Sequence, residues 1–368
     1  MAALGVPGNA PTWRLGPETG LRVTRDGDDA ILGTTDYDLS VEVRLTGAAT
    51  GGSDELRLVY RDFEAAMKAT VKGDSKKITD THQVSVSTKG DLTFMDLAGF
   101  SVPIPTREEE LPDRRSPGVA FLAVPREALA SALTRVASAV RPSTASPVLA
   151  AVHFSAEKGK VTLTGTDRYR LARDVFQAKV DHPGEMLVPL RLAEMILKFL
   201  RSDTITIYRN AAEQTIAFSD GTYVLSAQEG EGTYLEIAHL FENGSDPTAV
   251  VNADELRRVI VKSAALAGTR GRSALVGEAD GLRVLTVRSD AASDEKGIQG
   301  PVVKGVVSPE WTRPAASGDY LLSALDAFPR GATVTLGQRG SMLRLQSEDP
   351  FDMLTYLVAA IREKTEQS

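Results

Sequence analysis

The chain contains no cysteine, which excludes a disulfide framework, a thiolate metal site and a cysteine nucleophile. Its four histidines, His82, His153, His182 and His239, fall on separate elements without metal-ligand spacing, so no metal centre is expected. No apolar run approaches the ~18 residues that a bilayer-crossing helix requires. The start, MAALGVPGNAPTWRLG, lacks the basic and apolar stretches of a signal peptide. These absences predict a cytoplasmic protein with no membrane partner. Catalytic signatures are missing too. Asp36 and Asp38 alternate on one strand, but no third carboxylate follows at a spacing suited to two-metal hydrolysis. The glycine-rich stretches TGAATGG and LAGTRGRS lack the Gly-Lys-Ser/Thr ending of a phosphate loop, and no Gly-x-Ser-x-Gly elbow occurs. No catalytic residue and no cofactor is expected, and the protein is read as not an enzyme.

What is present is length and repetition. At 368 residues the chain exceeds the roughly 250–300 at which one core stops growing. Apolar spacing of i, i+3, i+4 predicts helices over Val59–Lys77, Arg126–Arg141, Leu190–Asp203, Ala253–Arg272 and Gly318–Arg330. Between them lie short alternating or β-branched runs such as VTLTGTD, TITIYRN and LRVLTVRS, separated by Gly, Asp and Asn turns. A strand ending in Thr or Ser before Asp recurs at Asp36, Asp167 and Asp290. The next helix centre, at Met67, Met195 and Leu322, follows 31, 28 and 32 residues later. Leu129 and Leu256, on helices, precede the second and third of these aspartates by 38 and 34 residues, and the first has no room for such a helix. The pattern predicts an α+β protein of three tandem domains, each of two helix-plus-antiparallel-strand halves with the first half truncated. EEELPDRRSPG and ENGSDP serve as linkers, giving domains at 1–117, 118–246 and 247–368.

Charge is distributed unevenly. The five predicted helical segments together carry +7 while the whole chain carries −7, which leaves −14 elsewhere. The cations concerned are Arg61, Lys68 and Lys72; Arg135 and Arg141; Arg191, Lys198 and Arg201; and Arg258 with Lys262. Surface helices commonly carry such residues with no partner in view. Their repetition on four helices predicts non-specific contact with the phosphates of duplex DNA.

The stretch SPVLAAVHFSAEKGKVTLTGTDRYRLARDV (Ser146–Val175) closely resembles the middle domain of the DNA polymerase III beta subunit, the bacterial sliding clamp. GEMLVPLRLAEMILKFLRSDTITI, VNADELRRVIVKSAALAG and GDYLLSALDAF extend the resemblance from about Val119 to Ile361, with Thr166 to Ala172 as its most specific motif. The resemblance implies a head-to-tail homodimer in which each chain forms half of a pseudo-sixfold ring around DNA. It also implies a pocket for short linear motifs of the replicative polymerase, the clamp loader and repair proteins. Carried onto this chain, that pocket comprises Leu149, Thr166, Arg168, Tyr169, Arg170, Leu171, Ala359, Ala360, Ile361 and Arg362. Read without the resemblance, Thr166 and Asp167 are a strand-end turn and Leu149 and Leu171 are plain core. The tail carries Ala-Ala-Ile where the family has Met-Pro-Met. GTYLE (Gly232–Glu236) replaces a proline-containing turn, and the first helix is missing. These departures point to a diverged paralogue of the housekeeping clamp. A clamp-derived accessory or resistance paralogue serving as a protein scaffold, and a metal-dependent nuclease on the same framework, stay open as alternatives.

Overall fold

The computed structural model describes residues 20–36, 38–49, 55–75, 83–107, 117–142, 146–242, 247–268, 271–287 and 297–361. Their elements follow one rule: a leading strand, a helix, then three antiparallel strands. Among the described residues the first half-unit shows the three strands β1 (Gly20–Asp26), β2 (Asp29–Thr35) and β3 (Leu39–Leu45). The second runs β4 (Glu55–Val59), α1 (Tyr60–Thr70), β5 (Val84–Lys89), β6 (Leu92–Leu97), β7 (Phe100–Ile104). The third runs β8 (Val119–Pro125), α2 (Arg126–Ala137), β9 (Ala151–Glu157), β10 (Lys160–Thr166), β11 (Arg170–Gln177). The fourth runs β12 (Gly184–Pro189), α3 (Leu190–Phe199), β13 (Thr204–Asn210), β14 (Thr215–Ser219), β15 (Tyr223–Gln228). The fifth runs β16 (Thr248–Asn252), α4 (Ala253–Ala267), β17 (Arg272–Glu278), β18 (Gly281–Val287), β19 (Ile298–Val307). The sixth runs β20 (Ala315–Ser317), α5 (Gly318–Asp326), β21 (Thr333–Arg339), β22 (Met342–Ser347), β23 (Thr355–Ala359).

Leading strands are exchanged between the two halves of a pair. β8 of the third half joins β13 of the fourth, while β12 of the fourth joins β9 of the third. β16 and β20 do the same with β21 and β17, and β4 joins β1. No strand reciprocates for the second half, so among the described residues β5 has β6 as its single neighbour. A further link spans three half-units. β15 pairs with β3 and β23 with β11, each time from the start of the older strand: Leu39–Val43 and Arg170–Arg173. Contacts divide the chain into two compact units, 1–123 with 198–228 and 124–197 with 229–368. An eight-stranded and a three-stranded sheet belong to the first and a twelve-stranded sheet to the second.

The helices are amphipathic as their spacing requires: α2 buries Leu129, Ala132, Leu133 and Val136, a stripe at i, i+3, i+4, i+7. It lies so close to β10 that a Cβ on Gly165 would stand 2.6 Å from a methyl of Val140 and 2.9 Å from Val136. That explains the glycine in LTGTD. All five helices, however, end four to seven residues before their expected ends. α4 is closed by Gly268 in the left-handed conformation (φ 66°). α3 is closed by Arg201, whose guanidinium donates to the carbonyls of Lys198 and Leu200. Cations past a helix C-terminus complement its dipole without belonging to the helix. The helices proper therefore carry a net charge of only +1. The expected linkers fall largely on 108–116 and 243–246, outside the described residues.

Candidate partner-binding groove and basic surfaces

β10 ends in a turn built by its own side chains. The Thr166 hydroxyl donates to the Arg170 carbonyl (2.7 Å) and accepts from the Arg168 N–H (3.0 Å). Asp167 Oδ1 accepts from the N–H groups of Tyr169 and Arg170, both at 3.1 Å. These bonds hold Arg168 at φ 76°, a region that residues other than glycine seldom adopt. The same device recurs after β2, where Thr35 donates to the Leu39 carbonyl and Asp36 accepts from the Leu39 N–H. Ser219 and Asp220 form another copy after β14. The Thr-Asp pair is thus a turn shared by the repeats. Asp290 lies outside the described residues.

Strand alternation sends the residues after that turn to opposite faces of the sheet. Arg170 is 7% exposed and points to the helix side, where Nε meets Asp167 at 3.0 Å and Nη1 donates to Ser323 of α5. Its guanidinium lies 5.2 Å from the Tyr320 ring centroid, with Arg141 at 5.4 Å and Tyr169 stacked on the same ring at 6.0 Å. Arg141 also meets Asp167, at 3.2 Å. Arg170 is therefore held by its own fold and is not open to a docked segment. Asp174 shares this face, with Arg135 of α2 bridging it (2.5 Å) to Asp352 (2.7 Å). Burial pushes the Asp174 carboxyl above its ordinary range; Arg135 opposes that shift and Asp352 adds to it.

The other face carries Leu171 and Arg173. Leu171 packs with Leu357 of β23 and Phe241, with Ile237, Leu240 and Met342 around them. Phe241 and its neighbours come from a strap over 229–242 that crosses the strands. Gly230 N–H donates to the Leu187 carbonyl (3.0 Å), and the Tyr234 hydroxyl donates to the Thr164 carbonyl (3.3 Å). The Tyr234 ring stacks on His153 at 4.7 Å. Burial pushes the Tyr234 phenol well above its usual range, keeping it a neutral donor. The tail closes one end of this floor. Ala359 N–H donates to the Tyr169 carbonyl (2.7 Å), Ala360 to Ser341 (2.8 Å) and Ile361 to Ala315 (2.7 Å). Tyr169 and Ile361 stay exposed at the rim, 58% and 42%. Leu149 is buried on the 3-10 turn Pro147–Ala150, outside the Leu171 cluster, and Arg168 donates to Ser146. Arg362 lies outside the described residues. The structure thus joins Tyr169 and Leu171 to the tail, and adds Ile237, Leu240, Phe241 and Met342, which sequence reading missed. The apolar spacing of IAHLF was the signal for Ile237, Leu240 and Phe241.

The basic residues sort less uniformly than expected. Arg61, Lys198, Arg258 and Lys262 are exposed on their helices and make no ion pair among the described residues. Lys68 pairs with Glu64 (2.7 Å). Lys72 is exposed but lies beyond the end of α1. Arg191 is half-buried, Arg201 caps α3, and Arg135 and Arg141 are held by carboxylates. Among the described residues no cluster of His, Asp or Glu is placed to hold a metal, and no helix is long and apolar enough to cross a membrane. A cleft of about 680 Å³ opens beside Arg135 and Phe351 at the β22–β23 turn, away from the Leu171 floor.

Residues 120–230 match the family model of the DNA polymerase III beta subunit, N-terminal domain. That stretch is the third and fourth half-units, which retain both helices and both leading strands. The beta sliding clamp of Streptomyces coelicolor is 24% identical over 274 residues, 72% of this chain and 69% of that protein. The crystal structure of the DNA polymerase III subunit beta from Pseudomonas aeruginosa matches with a TM-score of 0.81 at 14% identity, over 98% of this chain and 96% of that one. The DNA polymerase III beta subunit of Thermotoga maritima matches with a TM-score of 0.79 at 14% identity, over 98% and 95%.

Proposed function

We infer from a chain that carries the DNA polymerase III beta-subunit domain and the beta-sliding-clamp fold that it works as a DNA sliding clamp. In this reading it is a non-catalytic ring of two chains, each of three domains (1–117, 118–246, 247–368), that holds partner proteins on duplex DNA. The observation that carries the reading is the offset of three half-units. The last strand of the fourth half pairs with the first, and that of the sixth with the third. By the same rule the second half of one copy pairs with the fifth half of another, β7 against the start of β19. Among the described residues β7 has only β6 beside it within its sheet, and Phe100 at its start is 62% exposed. Two unlike ends that match each other close a head-to-tail dimer.

Sedimentation should give a particle of about 79 kDa, twice the 39.4 kDa chain, that stays on circular plasmid after loading and runs off the same plasmid once linearised. Phe100→Asp should yield monomers that retain neither form. A wild-type monomer at micromolar concentration, or equal retention on linear and circular DNA, would overturn the ring. One observation favours a second reading, a scaffold that keeps the groove without encircling DNA. Among the described residues the first half-unit lacks its leading strand and helix, leaving β5 without a second neighbour.

We read the apolar cluster of Leu171, Phe241 and Leu357, with Tyr169 and Ile361 exposed at its rim, as the floor of a groove for short extended segments of the replicative polymerase, the clamp loader and repair proteins. A few buried apolar contacts dominate the affinity of such sites. Ala359 and Ala360 offer little side chain there. Replacing them by Met and Pro should strengthen binding of an apolar-anchored peptide about tenfold, since one well-packed contact of ~1–3 kcal/mol exceeds the ~1.4 kcal/mol per decade. Equal affinities in calorimetric titration would place the tail outside the groove.

A further inference from the structure

We propose that Arg173 makes this groove selective for a segment carrying an acidic side chain beside its apolar anchors, an inference that rests on the groove being a peptide site. Arg173 stands two residues after Leu171 on the same face of β11, opposite Thr355 of β23, where Leu171 stands opposite Leu357. Its guanidinium lies 4.0 Å from the centroid of Phe241, the ring that also packs on Leu171 and Leu357. The residue is half-buried, and its side chain makes no hydrogen bond or ion pair with any described residue.

The other arginines anchored along this strand behave differently. Arg170 has Asp167, and Arg135, which reaches Asp174, has two carboxylates. A guanidinium removed from water without an anion carries a desolvation cost that the ring face offsets only in part. Burial accordingly pulls the Arg173 guanidinium below its ordinary range, with no carboxylate among the described residues acting to raise it. It nonetheless stays charged at neutral pH, because an arginine begins so far above it. The ring holds the planar fork in one orientation, so a carboxylate can be met by two parallel N–H groups with little further loss of side-chain freedom. The partner chemistry that completes the site is an Asp or Glu side chain about one strand residue from a leucine-like anchor.

The test uses the full-length chain and the peptide acetyl-Ala-Leu-Ala-Leu-Ala-Leu-Ala-amide, with each alanine replaced in turn by Asp or by Asn, titrated calorimetrically at low salt. On wild type one position should favour Asp over Asn by tenfold or more. Arg173→Gln should reduce that ratio to near one. Arg173→Lys, which keeps the charge and loses the fork, should retain a preference smaller than wild type and serves if the glutamine variant does not fold. Asp and Asn peptides that bind wild type equally at every position would overturn the proposal while leaving the groove intact. So would a preference that survives Arg173→Gln. If no peptide of the series binds wild type, the groove reading and the proposal fall together.

Discussion

Replacing Arg135 by methionine is expected to destabilise the protein by about 3–5 kcal/mol, the usual cost of stranding buried charge by removing one partner of a pair. Two carboxylates depend on that one guanidinium. Asp174 is 2% exposed and Asp352 8%, and Arg135 is their bridge at 2.5 and 2.7 Å. The loss should shrink in acid, and its sign follows from the direction of the Asp174 shift. A carboxyl whose folded-state affinity for protons is raised by burial favours the fold when protonated. Its contribution is complete below the unfolded value and is lost as pH rises through the raised one. Without Arg135 the shift grows, so urea midpoints of Arg135→Met should approach wild type as pH falls from 7 toward 4. Adding Asp174→Asn should recover part of the loss at pH 7. A variant as stable as wild type at neutral pH would mean that the three groups do not interact as described.

The second large effect concerns DNA. Changing Arg61, Lys198, Arg258 and Lys262 together to alanine removes four exposed cations that have no ion pair among the described residues. Each lost phosphate contact should flatten the slope of log K against log salt by about 0.9, so the set should flatten it by between three and four units per chain. Affinity for a closed circular duplex at low salt should fall by two decades or more, with the unfolding midpoint unchanged. Changing Arg135, Arg141 and Arg201 should instead alter stability and leave the salt slope nearly as it was, since these three are engaged by carboxylates or by helix-end carbonyls. Comparing the two sets separates a phosphate-binding surface from a merely basic sequence.

The same comparison shows what one sequence makes legible. The repeat was readable from Thr35-Asp36 and Thr166-Asp167 because a strand-end turn needs those side chains wherever it occurs, whatever packs around it. Helix starts were readable for a similar local reason. Helix ends were not: Lys76, Arg141, Arg201, Arg272 and Arg330 continue a charged pattern past the point where Gly268 or a capping guanidinium stops the backbone. The groove was half legible. The motif put Leu171, Tyr169 and Arg170 together in the expected pocket; strand alternation separates Arg170, which faces the helices, from Leu171 and Arg173 on the other face. Phe241 belongs to a segment whose role depends on crossing strands far away in the chain, and no local pattern states that.

The pairing of strands far apart in the chain also bears on synthesis on the ribosome. β3 is complete by Leu45, yet the strand that covers its edge begins at Tyr223. At about 5–20 residues per second, that edge waits roughly ten to forty seconds for its neighbour. β8 likewise emerges before α2 and all of β9 to β12, and only then does β13 arrive to receive it. Among the described residues only the second half, with β5 to β7, forms a sheet from its own nascent segment alone. The growing chain exposes unpaired strand edges for most of its translation, the condition under which edge-to-edge association competes with folding. A messenger recoded to slow elongation between Leu45 and Tyr223 should yield less soluble protein from an unchanged amino-acid sequence.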